Sequence, residues 1–227
     1  MSNVRTVRLV FLDLETTTTE PNDPVAAILE VGLTVTDIAG RVVSEKNFVN
    51  WMPDYHRERV TGWDEVVLRM HTKNDLLFEV LNQHEDYDLQ EEILEWMNTR
   101  EFADDNPSHP KPEDEIYQLA GSGVSHFDRR WLRAELPRVS DRFTHWAIDV
   151  GSDRRMLEWH APELMWGFHE HHKTHRALMC NKDAIRMYQN MVSVIHDAKV
   201  HNQHRQFGSG QTGAYAIGSI PPPPTEE

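Results

Sequence analysis

Three short motifs, far apart in the chain, hold the side chains best suited to chemistry. The first is Asp13-Leu14-Glu15, at the end of an apolar run. In a strand, side chains at i and i+2 share a face, so these carboxylates stand side by side at the strand's C-terminal end and attract a hard divalent cation. Alone, such a pair more often means solvated strand-end acids. The second motif, GVSHFDRRWL, puts Asp128 at the start of an expected helix, where metal binding and helix capping are equally good explanations. Arg129 and Arg130 then read either as phosphate ligands or as surface ion pairs. The third is HRALMCNKDAI, residues 175–185, in which His175 directly precedes the last long helix and could take a proton from water. Within that helix Cys180 is followed by Asp183, one turn further on and on nearly the same face.

Composition sets the frame for these motifs. With 227 residues, 39% of them apolar, the chain can bury a sizeable core without staples, and one main domain with helical insertions is expected. A formal charge of −14 argues against a protein that coats long nucleic acid, yet it permits a small acidic cleft in which bound cations supply the positive charge. No membrane span or signal peptide is visible, and a single cysteine, Cys180, fits a reducing compartment; a cytoplasmic protein is expected.

The elements that must position the motifs follow from periodicity. TVRLVFLDL, residues 6–14, reads as a strand, and ILEVGLTVTDIAG and RVVSEKNFVNW as two more joined by a turn at Gly40, the three being antiparallel neighbours. From about 57 to 99 the spacing turns helical, with Val66, Val67, Met70, Leu76, Leu77, Val80, Leu81, Ile93, Leu94, Trp96 and Met97 read as core stripes. Residues 100–115 form a Pro- and acid-rich loop before a strand at IYQLAG. A helix then starts near Phe127 and stops before Pro137, WAIDV at 146–150 is the last strand, and SDRRMLEWH and 177 to about 198 are helices. The domain is expected to span 1–204, followed by a flexible Gly- and Pro-rich tail, 205–227.

In order and combination, these motifs resemble the DEDDh 3′→5′ exonucleases, and within them the oligoribonucleases. The resemblance runs from about residue 7 to about 195 and rests on DLE at 13–15, ILEVG around Glu30, MHT with Leu76 at 70–76, FDRRWL at 127–132, IDV at 148–150 and HRA at 175–177. It implies an α/β, ribonuclease H-like fold with a five-stranded mixed sheet flanked by helices, and release of nucleoside 5′-monophosphates from the 3′ ends of short single-stranded RNA or DNA. It further implies two divalent cations, Mg²⁺ or Mn²⁺, with Asp13 bridging both, Glu15 on one and Asp128 on the other, one ion activating the attacking water and the second stabilising the leaving 3′ oxygen. His175 would be the general base. Thr16, Thr17, His71, Asn74 and Arg129 would contact nucleic acid, and a homodimer is expected.

The chain departs from this family in three places. Where the pattern HxAxxD ends in an acid, this sequence has Cys180, leaving Asp183 as a candidate metal ligand. A thiolate is a soft ligand that suits Mn²⁺, Co²⁺ or Zn²⁺ better than Mg²⁺. The histidines of HEHHKTH (His169, His171, His172 and His175) raise a rival zinc site joined by Cys180, against which a solvated His-rich loop is favoured. After DLE the family has Met-Thr-Gly-Leu where this chain has Thr16 to Thr19, and its tryptophan before the MHT motif is replaced by Val66, with Trp63 nearby as either a substitute or a core residue. The competing functional reading is a catalytically impaired protein that binds nucleic-acid ends, and a weaker one is an interaction scaffold using the proline tail.

Overall fold

The computed structural model describes residues 5–52, 60–83, 88–99, 111–165 and 174–208. Its sheet contains β1 (Thr6–Thr16), β2 (Ile28–Thr36), β3 (Val42–Val49), β4 (Glu115–Gly121) and β5 (Phe143–Asp149) in the order β3-β2-β1-β4-β5. The first three strands pair antiparallel, as a meander with short connections must, whereas β4 and β5 join in parallel after helical crossovers. The helices are α1 (Glu65–Lys73), α2 (Leu76–Asn82), α3 (Leu89–Thr99), α4 (Asp128–Glu135), α5 (Pro137–Ser140), α6 (Val150–His160) and α7 (Ala177–Gly208). This is the mixed five-stranded, helix-flanked architecture expected for the ribonuclease H-like fold.

Alternation along β1 separates two cores. Val10, Leu12 and Leu14 enter a cluster with Ile93, Met97, Trp131 and Leu132 from α3 and α4. Leu9 and Phe11, on the other face, pack with Ala184, Ile185 and Met191 of α7. Asp13 and Glu15 continue that second face beyond the apolar part, so the two carboxylates emerge under the first turns of α7. Pairing with β2 carries β1 past Leu14 to Thr16, with Glu15 opposite Glu30, and both acids therefore lie within the strand.

The contact between β2 and α7 depends on one glycine. A Cβ on Gly32 would lie 2.7 Å from the Ala177 carbonyl carbon and 2.8 Å from its Cβ, so only glycine opposite a small residue lets the helix sit so close. Asn181 then donates from Nδ2 to the Gly32 carbonyl at 2.9 Å. Buried Glu30 accepts from the Ala177 N–H and from the guanidinium of Arg176, which also reaches Glu79 of α2. Together these bonds fix the start of α7 on the sheet.

Several boundaries move from their expected places. Strand β5 begins at Phe143 because that residue pairs with Tyr117, and Val150 opens α6, where the Asp149 carboxylate caps the Ser152 N–H. Helix α7 continues past 198 to Gly208, the first glycine after Ala177 in a run that contains no proline. The chain divides into a compact unit Met1–Val192, which holds the sheet, and Ser193–Glu227, of which α7 is described through Gly208. Of the expected tail, 209–227 lies outside the described residues, as do 100–110 of the expected loop and 57–59 and 84–87 of the insertion. Among the described residues, no helix is long and apolar enough to cross a membrane.

Candidate metal centre

Three elements bring the acidic motifs together. Asp13 and Glu15 come from the end of β1, Asp128 from the first residue of α4, and Cys180 from the first turn of α7. One ligand atom each from Asp13, Glu15 and Cys180 lie within 4.8 Å of one another. Asp128 is held against β1 because β4 pairs with that strand only as far as Phe11, which leaves the Leu14 N–H to be taken by Asp128 Oδ1 at 3.0 Å. The four residues share a cleft of about 380 Å³ with His175, Thr16, Thr18, Thr19, Val67, Met70, Ser122, His126 and Phe127.

The electrostatics of this cleft favour a cation. Asp128 is only 3% exposed, and burial followed by the neighbouring Asp13 charge drives its pKa well above the ordinary carboxylate value. No Lys or Arg is among the cleft's described lining residues, so that lining is acidic and polar rather than basic. His71 lies behind Glu15, fully buried, with Nε2 at 3.8 Å from Glu15 Oε2. Burial lowers its pKa to about 4, outweighing the Thr16 backbone, and neither ring nitrogen makes a hydrogen bond of normal geometry. A half-buried Asp13 and a buried Glu15 beside a buried neutral imidazole form a donor set that a divalent ion completes, and the residues fit one.

The loop that carries Ser122, His126 and Phe127 is organised by Asp149. Its carboxylate accepts N–H bonds from Gly123, Ser125 and Ser152 at 3.0, 3.0 and 3.2 Å. Burial pushes the Asp149 pKa up, but those donors outweigh it and leave the pKa lowered. Gly121 permits the turn, since a Cβ there would stand 2.7 Å from the Leu12 carbonyl oxygen. His175 enters the cleft from a left-handed backbone, φ 50°, with its carbonyl accepting from Asn74 Nδ2.

The remaining expected site residues are placed elsewhere. Asp183 does not line the cleft; a turn beyond Cys180 it has rotated away and accepts from Arg186 Nη2 at 2.9 Å. Thr17 is buried and bonds the Val25 and Ala27 backbone, closing the turn after β1. Asn74 acts through the His175 backbone, and Arg129 uses its guanidinium on the carbonyls of Thr144, His145 and Trp146 in β5. His169, His171 and His172 of the rival zinc reading lie outside the described residues. Trp63 is a core residue, packed with Leu29, Met52 and Leu76. The core reading of Val66, Val67 and Met70 needs correction: Val66 is 71% exposed, while Val67 and Met70 form an apolar cleft wall. His126 was missed, although its place two residues before Asp128 in a small-residue loop was a usable signal.

No family model matches the chain. Oligoribonuclease of Corynebacterium diphtheriae is 28% identical over 179 residues, covering 79% of each chain. That of Corynebacterium glutamicum is 28% identical over 189 residues, covering 79% of this chain and 75% of its own. In sequence the chain is therefore similar to oligoribonucleases over about four-fifths of its length. The fold is also that of E. coli exonuclease I, solved in a zinc-bound complex with single-stranded DNA, at TM-score 0.56 and 15% identity over 90% of this chain. A metal-free form of that complex gives TM-score 0.53 at 14% identity. This chain spans 45% and 44% of those two exonuclease I chains, less than half of each.

The raised Asp128 pKa makes a stability prediction for the metal-free protein. Because the folded state holds this proton more tightly than the unfolded state, stability falls as pH rises from the unfolded value, 3.8, through the folded one. Asp128→Asn is expected to flatten that part of the pH dependence in chelator-treated thermal melts. Equal slopes in the two proteins would refute the assignment.

Proposed function

We propose that this chain removes nucleotides from the 3′ ends of short single-stranded RNA or DNA, releasing nucleoside 5′-monophosphates in a reaction that uses two divalent cations, Mg²⁺ or Mn²⁺. The observation that carries the reading is the meeting of Asp13, Glu15 and Asp128, from distant motifs, in one cleft with His175. Asp13, Glu15, Asp128 and Cys180 would hold the cations. When bound, the cations supply the positive charge that activates water and offsets charge on the leaving 3′ oxygen.

The protein's own part is positioning and proton transfer. His175 takes the proton from the attacking water, its backbone carbonyl held by Asn74 in the cleft that contains the acids. Val67, Met70 and Phe127 give the terminal base an apolar wall, and the Thr16, Thr18 and Thr19 segment offers polar contacts to the sugar and phosphate. The oligoribonuclease relatives support RNA as a substrate, and the exonuclease I complexes support single-stranded DNA. The family likeness also carries a homodimer, for which light scattering should return twice the 26.5 kDa chain mass.

A 5′-labelled oligonucleotide incubated with Mg²⁺ or Mn²⁺ and resolved at single-nucleotide steps should show a ladder shortening from the 3′ end. Cys180 in the cleft favours one rival, a protein that binds ends without cleaving them; that reading requires wild type to be inert with every metal. Cys180→Asp is expected to raise Mg²⁺-supported cleavage about tenfold, roughly 1.4 kcal/mol of barrier. Asp183→Asn should stay within about twofold of wild type, as for a surface change remote from the chemistry. A large loss in Asp183→Asn would return that residue to the site.

A further inference from the structure

We propose that Cys180 enters the metal centre as a thiolate ligand and turns its selectivity away from Mg²⁺ toward Mn²⁺, Co²⁺ or Zn²⁺. The inference rests on the reading of Asp13, Glu15 and Asp128 as metal ligands. Donors about 2.0–2.3 Å from a shared cation stand up to about 4.5 Å apart. The Asp13, Glu15 and Cys180 donors, within 4.8 Å of one another, need only a small side-chain adjustment to share one ion.

Two further features point the same way. The first turn of α7 cannot easily rotate Cys180 out of the cleft, because Ala177 is seated on Gly32 and Asn181 is bonded to the Gly32 carbonyl on either side of it. His71, fully buried and without a hydrogen bond of normal geometry, has Nε2 directed toward Glu15 at 3.8 Å. A neutral imidazole there can donate to a metal-bound carboxylate and fix its orientation, which gives the orphaned group a partner. Mg²⁺ demands a near-octahedral set of oxygen donors, whereas a sulfur donor favours softer ions of the first transition row. As the Sγ–metal bond forms, the thiol proton is released to solvent.

Cobalt titration of the full-length protein reads the ligand directly. Because Cys180 is the single cysteine, a near-ultraviolet sulfur-to-cobalt band can only arise there. Wild type should develop that band together with visible d–d bands. Cys180→Ser should keep the visible bands and lose the near-ultraviolet one, and Asp13→Asn should lose the near-ultraviolet band as well. Mg²⁺ should displace Co²⁺ at least about tenfold less readily from wild type than from Cys180→Asp.

Co²⁺ uptake by wild type without the sulfur band would overturn thiolate ligation and leave the carboxylate site standing. A sulfur band that persists in Asp13→Asn would put Cys180 in a different site and overturn the proposal. Equal displacement by Mg²⁺ in wild type and Cys180→Asp would overturn the selectivity. No Co²⁺ uptake at all would remove the metal-centre reading together with the inference. The wild-type spectrum decides ligation even if a variant fails to fold, and circular dichroism checks each variant.

Discussion

Asp13→Asn is expected to reduce 3′-end cleavage by about 10³-fold or more, about 4 kcal/mol of transition-state stabilisation, without lowering the melting temperature of the metal-free protein. In the proposed centre Asp13 is the acid common to both halves. Its carboxylate clusters with Glu15 and Cys180, and its charge also acts on Asp128. Removing it takes a ligand from each half, whereas loss of Glu15 leaves the Asp13–Asp128 pair. Stability should not suffer, because the substitution relieves repulsion against a buried carboxylate. Single-turnover cleavage with Mn²⁺ and a thermal melt in chelator test the two halves separately. Activity within tenfold of wild type would dissolve the proposed centre, and a large fall in melting temperature would show Asp13 to be a structural residue.

Much of the fold was legible because its signals are local. The alternation in TVRLVFLDL follows from β1 being covered on both faces near its start and opening to the cleft at its end, and Gly40, with φ 79°, makes the left-handed turn that joins β2 to β3. Glu30 is different in kind. In a strand an acid usually marks a solvent face, yet this one is 1% exposed because Arg176, 146 residues away, meets it. A charge balance of that range leaves no trace in local periodicity. It is visible only as the conjunction of ILEVG with HRA.

The site was legible to a smaller extent, and the reason is again range. Apolar residues spaced by three on α1 look alike whether they enter a core or wall a cleft, so Val67 and Met70 could not be told apart from Ile93 and Met97. Arg129 and Asn74 carry groups that fit phosphate recognition, but both are spent on backbone carbonyls that tertiary folding brings to them. Asp183 shares nearly one face with Cys180, yet an extra helical turn carries it to Arg186 and away from β1. His71, expected to contact nucleic acid, is instead fully buried behind Glu15, a placement that local sequence does not reveal.

His175→Ala is expected to lower kcat by about 10²–10⁴-fold while metal affinity stays close to wild type. The residue lines the cleft but is not part of the Asp13, Glu15 and Cys180 cluster, so its loss should spare the ions. Its backbone is unusual: a non-glycine residue at φ 50° is strained, and it is kept there by Asn74 below and by the Arg176 ion pairs to Glu30 and Glu79 next to it. Strain maintained by so many bonds at the mouth of an acidic cleft is what a positioned base requires. A base also leaves a signature that a packing residue does not, namely a limb on which the rate rises with pH. That limb should vanish in His175→Ala, and Asn74→Ala, which frees the backbone but keeps the imidazole, should retain it at a lower rate. Isothermal titration with Mn²⁺ gives the metal arm of the test. If His175→Ala keeps both the rate and the limb, proton transfer belongs to another group, and His126, the other histidine among the cleft's described lining residues, is the residue to replace next.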